Sequence, residues 1–138
     1  NDIIDVGEQL SSLVASLSLG FRADVVVNED IASIYLDVHQ AIPLSLIANE
    51  LLTNAFKHAF PETSSEDTLT VRLQQQEGTV VLEIQDNGIG LADDYPKDHL
   101  GMIIVESLTQ QLDATFTLQN LPEGGCLARV AFRQAHKQ

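Results

Sequence analysis

Apolar residues recur at three- and four-residue spacing over three stretches of the chain, and at two-residue spacing over several shorter ones. Over residues 6–19, Leu10, Leu13, Val14 and Leu17 share one helical face, and Gly20 follows as a stop. Over about 41–59, Leu44, Ala48, Leu51, Leu52, Ala55 and Ala59 form a second stripe. Pro43 is placed near that helix's first turn, where a missing N–H costs nothing, and Pro61 lies beyond its end. A third helical pattern runs from Gly101 to about Leu112, with Ile104, Leu108 and Leu112 on one face.

Strand signals fill the remainder. The runs 23–27 and 34–36 are rich in β-branched and aromatic residues and are separated by the turn-prone Asn28-Glu29-Asp30. Residues 68–74 alternate apolar and polar, Glu77-Gly78 makes a turn, and 80–84 returns, which predicts a hairpin. Residues 115–118 and 127–132 read as closing strands around Pro122-Glu123-Gly124-Gly125. Residues 62–67 read as a polar loop, 92–99, broken by Pro96, as a mobile segment, and 134–138 as a frayed polar tail. No repeat or second domain is visible, so residues 1–138 are expected to form one domain, with 1–20 as its leading helix.

Polar positions carry the candidate chemistry. Opposite the apolar stripe of the second helix, Glu50, Asn54, Lys57 and His58 fall in one row, and a carboxylate, an amide, a cation and an imidazole so aligned can hold a metal-bound anion. The row also reads as a solvated face, the ordinary fate of Glu and Lys on a surface helix. Asn54 weighs against that, because Asn is a poor helix former in mid-helix. Asp86-Asn87-Gly88-Ile89-Gly90 follows a strand. There its glycines let backbone approach a flat ligand, and the Asp86 carboxylate can accept a hydrogen bond from an exocyclic amine. The same residues are also an ordinary turn sequence. Asp93 stands where a dinucleotide fingerprint needs its third glycine, and no P-loop is present. Gly101 opens a helix, offering free N–H groups to an anion or simply starting the helix. His39, His99 and His136 lack ligand spacing and are read as structural or surface residues.

Charge narrows the partners. Seven basic against twenty acidic residues give a formal charge of −13, which repels nucleic acid and acidic membrane surfaces, so an anion would need local cations or a metal. Hydrophobic residues make up 44%, as in folded soluble proteins. No apolar run is long enough for a bilayer and no signal peptide is visible, so a cytoplasmic location is expected. The single cysteine, Cys126, excludes an internal disulfide and reads as a small buried hydrophobe. The chain starts at Asn1 without methionine and is expected to be a piece of a longer protein.

The order of these features (helix row, strand-Asp-x-Gly-x-Gly, lid, glycine-initiated helix) resembles the ATP-binding domain of the GHKL superfamily, or Bergerat fold, shared by sensor histidine kinases, gyrase and heat-shock chaperones. Residues 49–60 resemble its N box, 86–91 its G1 box and Leu100-Gly101-Met102 its G2 box. The runs Pro43-Leu44-Ser45-Leu46-Ile47-Ala48-Asn49-Glu50-Leu51 and Lys57-His58-Ala59-Phe60-Pro61 look most like sensor histidine kinases related to the HWE type. The resemblance implies an α/β two-layer sandwich, with a mixed, mostly antiparallel sheet and helices on one face. It implies ATP and Mg²⁺ as ligands, with Asn54 on the metal, Glu50 polarising the nucleophile or a metal-bound water, Lys57 on phosphate and His58 near the nucleotide. Asp86 would read the adenine amino group, and Gly88, Gly90 and the segment Leu100, Gly101 and Met102 would contact base and phosphates.

The implied activity is transfer of the γ-phosphoryl group of Mg-ATP to a histidine on a dimerisation domain outside this chain, with a response regulator downstream. The implied parent is homodimeric and open to membrane attachment. No histidine precedes His39, so the acceptor is not expected here. Two other readings are an anti-sigma-factor serine kinase of the same superfamily and a non-catalytic module with the same fold. The chain departs from the pattern in four places. His99 replaces the first glycine of the G2 pair, the lid lacks Phe-x-Pro-Phe, Cys126 stands where Thr is usual, and no Trp is present for the Trp-x-Glu signature.

Overall fold

The computed structural model describes residues 2–61, 64–90 and 100–135. The expected lid at 92–99 with Pro96 and His99, the last G1 residue Leu91, residues 62–63 of the polar loop, and the tail end with His136 lie outside the described residues.

A short strand β1 (Ile3–Asp5) leads into helix α1 (Val6–Phe21), whose N-terminus is capped by Asp5, accepting from the Glu8 N–H at 3.1 Å. Gly20 does not stop this helix. It sits with open space around it, and the helix runs on until Arg22, whose N–H bonds the Ser18 carbonyl. Val6, Leu10 and Val14 are buried.

The next segment departs from expectation. Asn28, Glu29 and Asp30 do not turn; they lie inside β2 (Val26–Ile31), while 23–25 form the bend before it. β2 pairs in parallel with β4 (Thr68–Gln76) from Val26 opposite Thr68 to Ile31 opposite Leu73. An edge strand bonded on one side only tolerates polar, exposed side chains, so its composition imitates a turn. β3 (Tyr35–Asp37) pairs antiparallel with β1.

Helix α2 (Val38–His58) is capped by Asp37, which accepts from the His39 N–H at 2.8 Å. It starts earlier than the hydrophobic stripe indicated, so Pro43 lies in the second turn rather than the first. There its missing N–H leaves the His39 carbonyl without an intrahelical partner. The stripe itself faces the core as expected, with Leu44, Ala48, Leu51, Leu52, Ala55 and Ala59 buried. Arg22 fixes the far end of α2: it donates to the Phe60 carbonyl at 2.7 Å and pairs with Asp24 at 2.9 Å and Asp67 at 3.2 Å.

β5 (Thr79–Asp86), α3 (Leu100–Gln111), β6 (Thr115–Asn120) and β7 (Cys126–Arg133) complete the fold. The sheet order is β2-β4-β5-β7-β6, and every pairing except β2 with β4 is antiparallel. Alternate residues of the three inner strands are buried: Leu69, Val71 and Leu73, then Val80, Leu82 and Ile84, then Ala128, Val130 and Phe132. The intervening side chains are not, so the helices cover one face, as the mixed two-layer class requires. α3 packs on α2, with Gly101, Met102, Val105 and Thr109 buried. Of the predicted stripe, Leu112 is buried and Leu108 packs against the core, whereas Ile104 is 37% exposed and lies at its edge. No helix among the described residues is long and apolar enough to cross a membrane.

Leu52 is fully buried whereas Leu46 on the same helix is 49% exposed. Leu52→Ala should therefore lower unfolding free energy by about 2–5 kcal/mol, and Leu46→Ala by less than about 1 kcal/mol, as urea titration would measure.

Candidate functional site

A pocket of about 240 Å³ opens where the last turns of α2 meet the ends of β5 and β7. Two-residue alternation turns Ile84 and Asp86 of β5 to the same side, and the antiparallel register sets Ala128 and Cys126 of β7 opposite them. These four residues are the floor. Leu118 of β6, opposite Ala128, extends it. From α2, Leu51 and Asn54 form one wall, with His58 a turn beyond Asn54. Ala55 and Ala59 leave the room that larger residues of the same stripe would fill. Met102 of α3 closes the far side, and Ile89 and Gly90 border the mouth.

Backbone fit holds the floor in place. A Cβ on Gly88 would stand 2.0 Å from the Ala59 carbonyl oxygen, which accepts from the Ile89 N–H at 3.0 Å. Gly125 has φ of +95°, and a Cβ there would lie 1.9 Å from the Asp86 carbonyl oxygen. Asn87 turns away from the pocket. Its side chain accepts from the Thr68 N–H at 2.8 Å and donates to the Glu66 carbonyl at 2.7 Å, anchoring the loop before β4. Asn87 thus serves the turn, while Asp86 borders the pocket.

The Asp86 side chain is only 8% exposed and accepts from the Gly88 N–H at 2.9 Å. Burial raises its pKa above the ordinary carboxylate value, while backbone N–H groups of Gly88 and Cys126 pull it down. No cation pairs with it among the described residues. Burial and the neighbouring Asp86 charge push the Cys126 thiol up to about 11. A buried acceptor with spare lone pairs, surrounded by apolar side chains, suits a flat ligand that presents an N–H group.

Of the sequence candidates, Asn54, His58, Asp86, Gly90 and Met102 line the pocket, and Gly88 supports it. Gly101 is buried in the first turn of α3, and Leu100 beside it is exposed. Glu50 lies half-buried one turn before Asn54, outside the lining. Lys57 is exposed, with its ammonium 5.7 Å from the centre of the Phe21 ring. The row is therefore split between pocket wall and outer edge. Ile84, Ala128, Leu118, Ala55 and Gly125 were not among the candidates. Strand alternation carried the signal for the first three, but without the β5–β7 register they read only as core. Among the described residues, no group of three or more His, Cys, Asp or Glu side chains could hold a metal ion.

Comparison with known proteins places this geometry in context. Over residues 39–136 the chain matches the family described as histidine kinase-, DNA gyrase B-, and HSP90-like ATPase. The nitrate/nitrite sensor protein NarX of Escherichia coli is 36% identical over 95 residues, covering 68% of this chain and 15% of that protein. The sensor histidine kinase PdtaS of Mycolicibacterium smegmatis is 29% identical over 116 residues, covering 81% of this chain and 22% of that protein. The chain thus spans less than a quarter of the length of these two relatives. Among solved structures, the histidine kinase domain of the blue-light activated histidine kinase EL346 from Erythrobacter litoralis has the same fold. It superposes with a TM-score of 0.87 at 24% identity, over 95% of this chain and 62% of that one.

Two outcomes follow from the buried pair. Asp86→Asn keeps an acceptor oxygen for Gly88 and removes a charge that burial disfavours. Because the folded-state pKa is raised, the unmodified chain is penalised at pH values above it, so the variant should melt at or above the parent at pH 7. That advantage should close as pH falls through the raised pKa, where Asp86 becomes neutral; thermal melts at both pH values measure it. Iodoacetamide at pH 8 should leave Cys126 largely unmodified in the folded chain and alkylate it fully in urea, as mass spectrometry would show.

Proposed function

Because the chain belongs to the family of histidine kinase-, DNA gyrase B- and HSP90-like ATPases, we propose that it is the catalytic ATP-binding domain of a two-component sensor histidine kinase. In this reading the Asp86 pocket takes the adenine of Mg-ATP, and the γ-phosphoryl group goes to a histidine on a dimerisation domain outside this chain. One observation supports it above the others: a buried carboxylate with no cation partner among the described residues, on the floor of a ring-sized apolar pocket. The serine-kinase alternative is less well supported, since the relative PdtaS is a sensor histidine kinase and NarX a sensor protein.

Each residue then has a physical task. Asp86 accepts from the exocyclic amine, a hydrogen bond strengthened by its charge and dry surroundings. Ala55, Ala59, Ile84 and Met102 offer apolar surface to the ring faces. The backbone at Gly88 and Gly90 comes close to the ligand. Leu100 and Gly101, at the start of α3, present N–H groups toward phosphate. His58 sits beside the nucleotide, and Glu50, one turn behind Asn54, is suited to act through water.

Asn54 would hold Mg²⁺, which supplies charge neutralisation to the phosphates when bound. Lack of a three-ligand cluster among the described residues fits this ion, which is commonly held by one or two protein groups together with substrate phosphates. Lys57 reaches phosphate only by leaving the Phe21 ring. An exposed cation–π contact is worth about 0.5–1 kcal/mol, so that obstacle is small against the gain from a phosphate. Catalysis rests on positioning and charge neutralisation, with no covalent role for the protein. A cytoplasmic setting, a homodimeric parent and a response regulator downstream belong to the same proposal.

Calorimetric titration with a non-hydrolysable ATP analogue tests it. Binding should depend on Mg²⁺, and Asp86→Asn should weaken it by about ten- to a hundredfold, corresponding to a charged hydrogen bond of roughly 1.5–3 kcal/mol. Asn54→Ala should reduce the Mg²⁺ dependence. Absence of binding by the unmodified chain would overturn the reading in favour of a non-catalytic module.

A further inference from the structure

Arg22 lies outside the Asp86 pocket, where α1 ends, yet it joins the two segments that support the pocket's floor. Its side chain is only 20% exposed and serves three acceptors. Nη1 donates to the Phe60 carbonyl at 2.7 Å, and Nη2 to the Asp67 carboxylate at 3.2 Å. Asp24, two residues on and more exposed, accepts from Nε at 2.9 Å and from Nη2 at 3.0 Å. The centre of the Phe60 ring is 5.9 Å from Cζ. Lysine, with one ammonium, has no fork with which to reproduce this arrangement.

The contacts to Phe60 and Asp67 lead to one turn. Phe60 follows Ala59, whose carbonyl accepts from the Ile89 N–H at 3.0 Å and leaves no room for a Cβ on Gly88. Asp67 closes the loop before β4: its carboxylate also accepts from the Ser64 N–H at 3.1 Å, and its carbonyl accepts from the Val26 N–H at 3.0 Å. Its chain neighbours Glu66 and Thr68 are the two partners of the Asn87 side chain. Residues 87–89 are thus held from the end of α2 on one side and from the entrance to β4 on the other. Arg22 ties these two supports together. Within the turn, the Gly88 N–H donates to the Asp86 carboxylate.

We propose that Arg22 is a positioning residue for base recognition: by bridging the Phe60 carbonyl and Asp67 it fixes the 87–89 turn, and through that turn the direction of the Asp86 carboxylate. This role rests on the adenine reading of the pocket and adds to it a residue that touches no ligand. A bridge that served stability alone would, when removed, weaken all nucleotides alike. Loss of aim at Asp86 instead removes the preference for a base with an exocyclic amine, because a hydrogen bond weakens steeply as its angle departs from linear.

Amide hydrogen exchange on the ligand-free chain tests the first link. In Arg22→Ala the Gly88 and Ile89 N–H groups should exchange at least about tenfold faster, relative to amides inside β5, than in the parent. Val14→Ala, which thins the buried face of α1 away from the bridge, should leave that ratio unchanged. Calorimetry with Mg²⁺ then compares ADP with purine riboside diphosphate, which lacks the exocyclic amine. The parent should prefer ADP by about tenfold or more, Arg22→Ala by less than about threefold, and Val14→Ala as the parent does. Arg22→Lys keeps the charge without the fork and should fall between, which secures the test if the alanine variant does not fold. Equal weakening of both nucleotides in the Arg22 variants would overturn the inference, as would exchange at Gly88 and Ile89 that merely follows the β5 amides. A parent chain that binds neither nucleotide, or both equally well, would remove the adenine reading instead, and the exchange ratio would still decide whether Arg22 holds the turn.

Discussion

A carboxylate buried at the end of the sheet's central strand is the constraint around which the structure is arranged. Asp86 lies at the end of β5, where a charge removed from water must be compensated by donors. One comes from the turn that follows, through the Gly88 N–H, and that turn can sit so close to α2 only because residue 88 has no Cβ. Gly125 brings β7 equally close to the Asp86 backbone. The position of α2 is in turn secured by Arg22, which clamps the Phe60 carbonyl and Asp67 at the end of the helix. Loosening the turn at Gly88 would leave the charge with fewer donors.

Helix α2 shows how one amphipathic element serves both core and site. Ile47, Leu52 and Phe56 fill the interior, whereas Ala55 and Ala59, on the same buried side, leave a space that becomes the pocket. Side-chain volume, more than polarity, therefore decides where along this helix the protein is packed and where it is open. The polar row adds a second distinction. Asn54 and His58 turn toward the opening, while Lys57, on the far edge of the row, rests against Phe21.

Much of this was legible in residue order. The α2 stripe, the hairpin of β4 and β5, and Asp86-x-Gly-x-Gly at a strand end all gave local signals that lead to the pocket. What was hidden depended on pairing at a distance. Asn28, Glu29 and Asp30 look like a turn because an edge strand need not alternate, and only the parallel partner β4 reveals them as strand. Asp37 and the buried Pro43 show that α2 starts before its apolar stripe, since a cap can precede residues with no periodic pattern. Ile104 aligned with Leu108 and Leu112, which do reach the core, yet it is itself exposed, and the buried side of α3 also includes Met102, Val105 and Thr109. Ala128 read as core until the β5–β7 register placed it beside Ile84.

The functional claim comes down to what Asp86 faces when the pocket is filled. A crystal structure of this chain with Mg²⁺ and a non-hydrolysable ATP analogue measures that directly. The exocyclic amine of the base should lie about 2.8–3.2 Å from an Asp86 carboxylate oxygen, with Asn54 directed at the metal. A base bound elsewhere, or an Asp86 carboxylate without contact to the ligand, would contradict it.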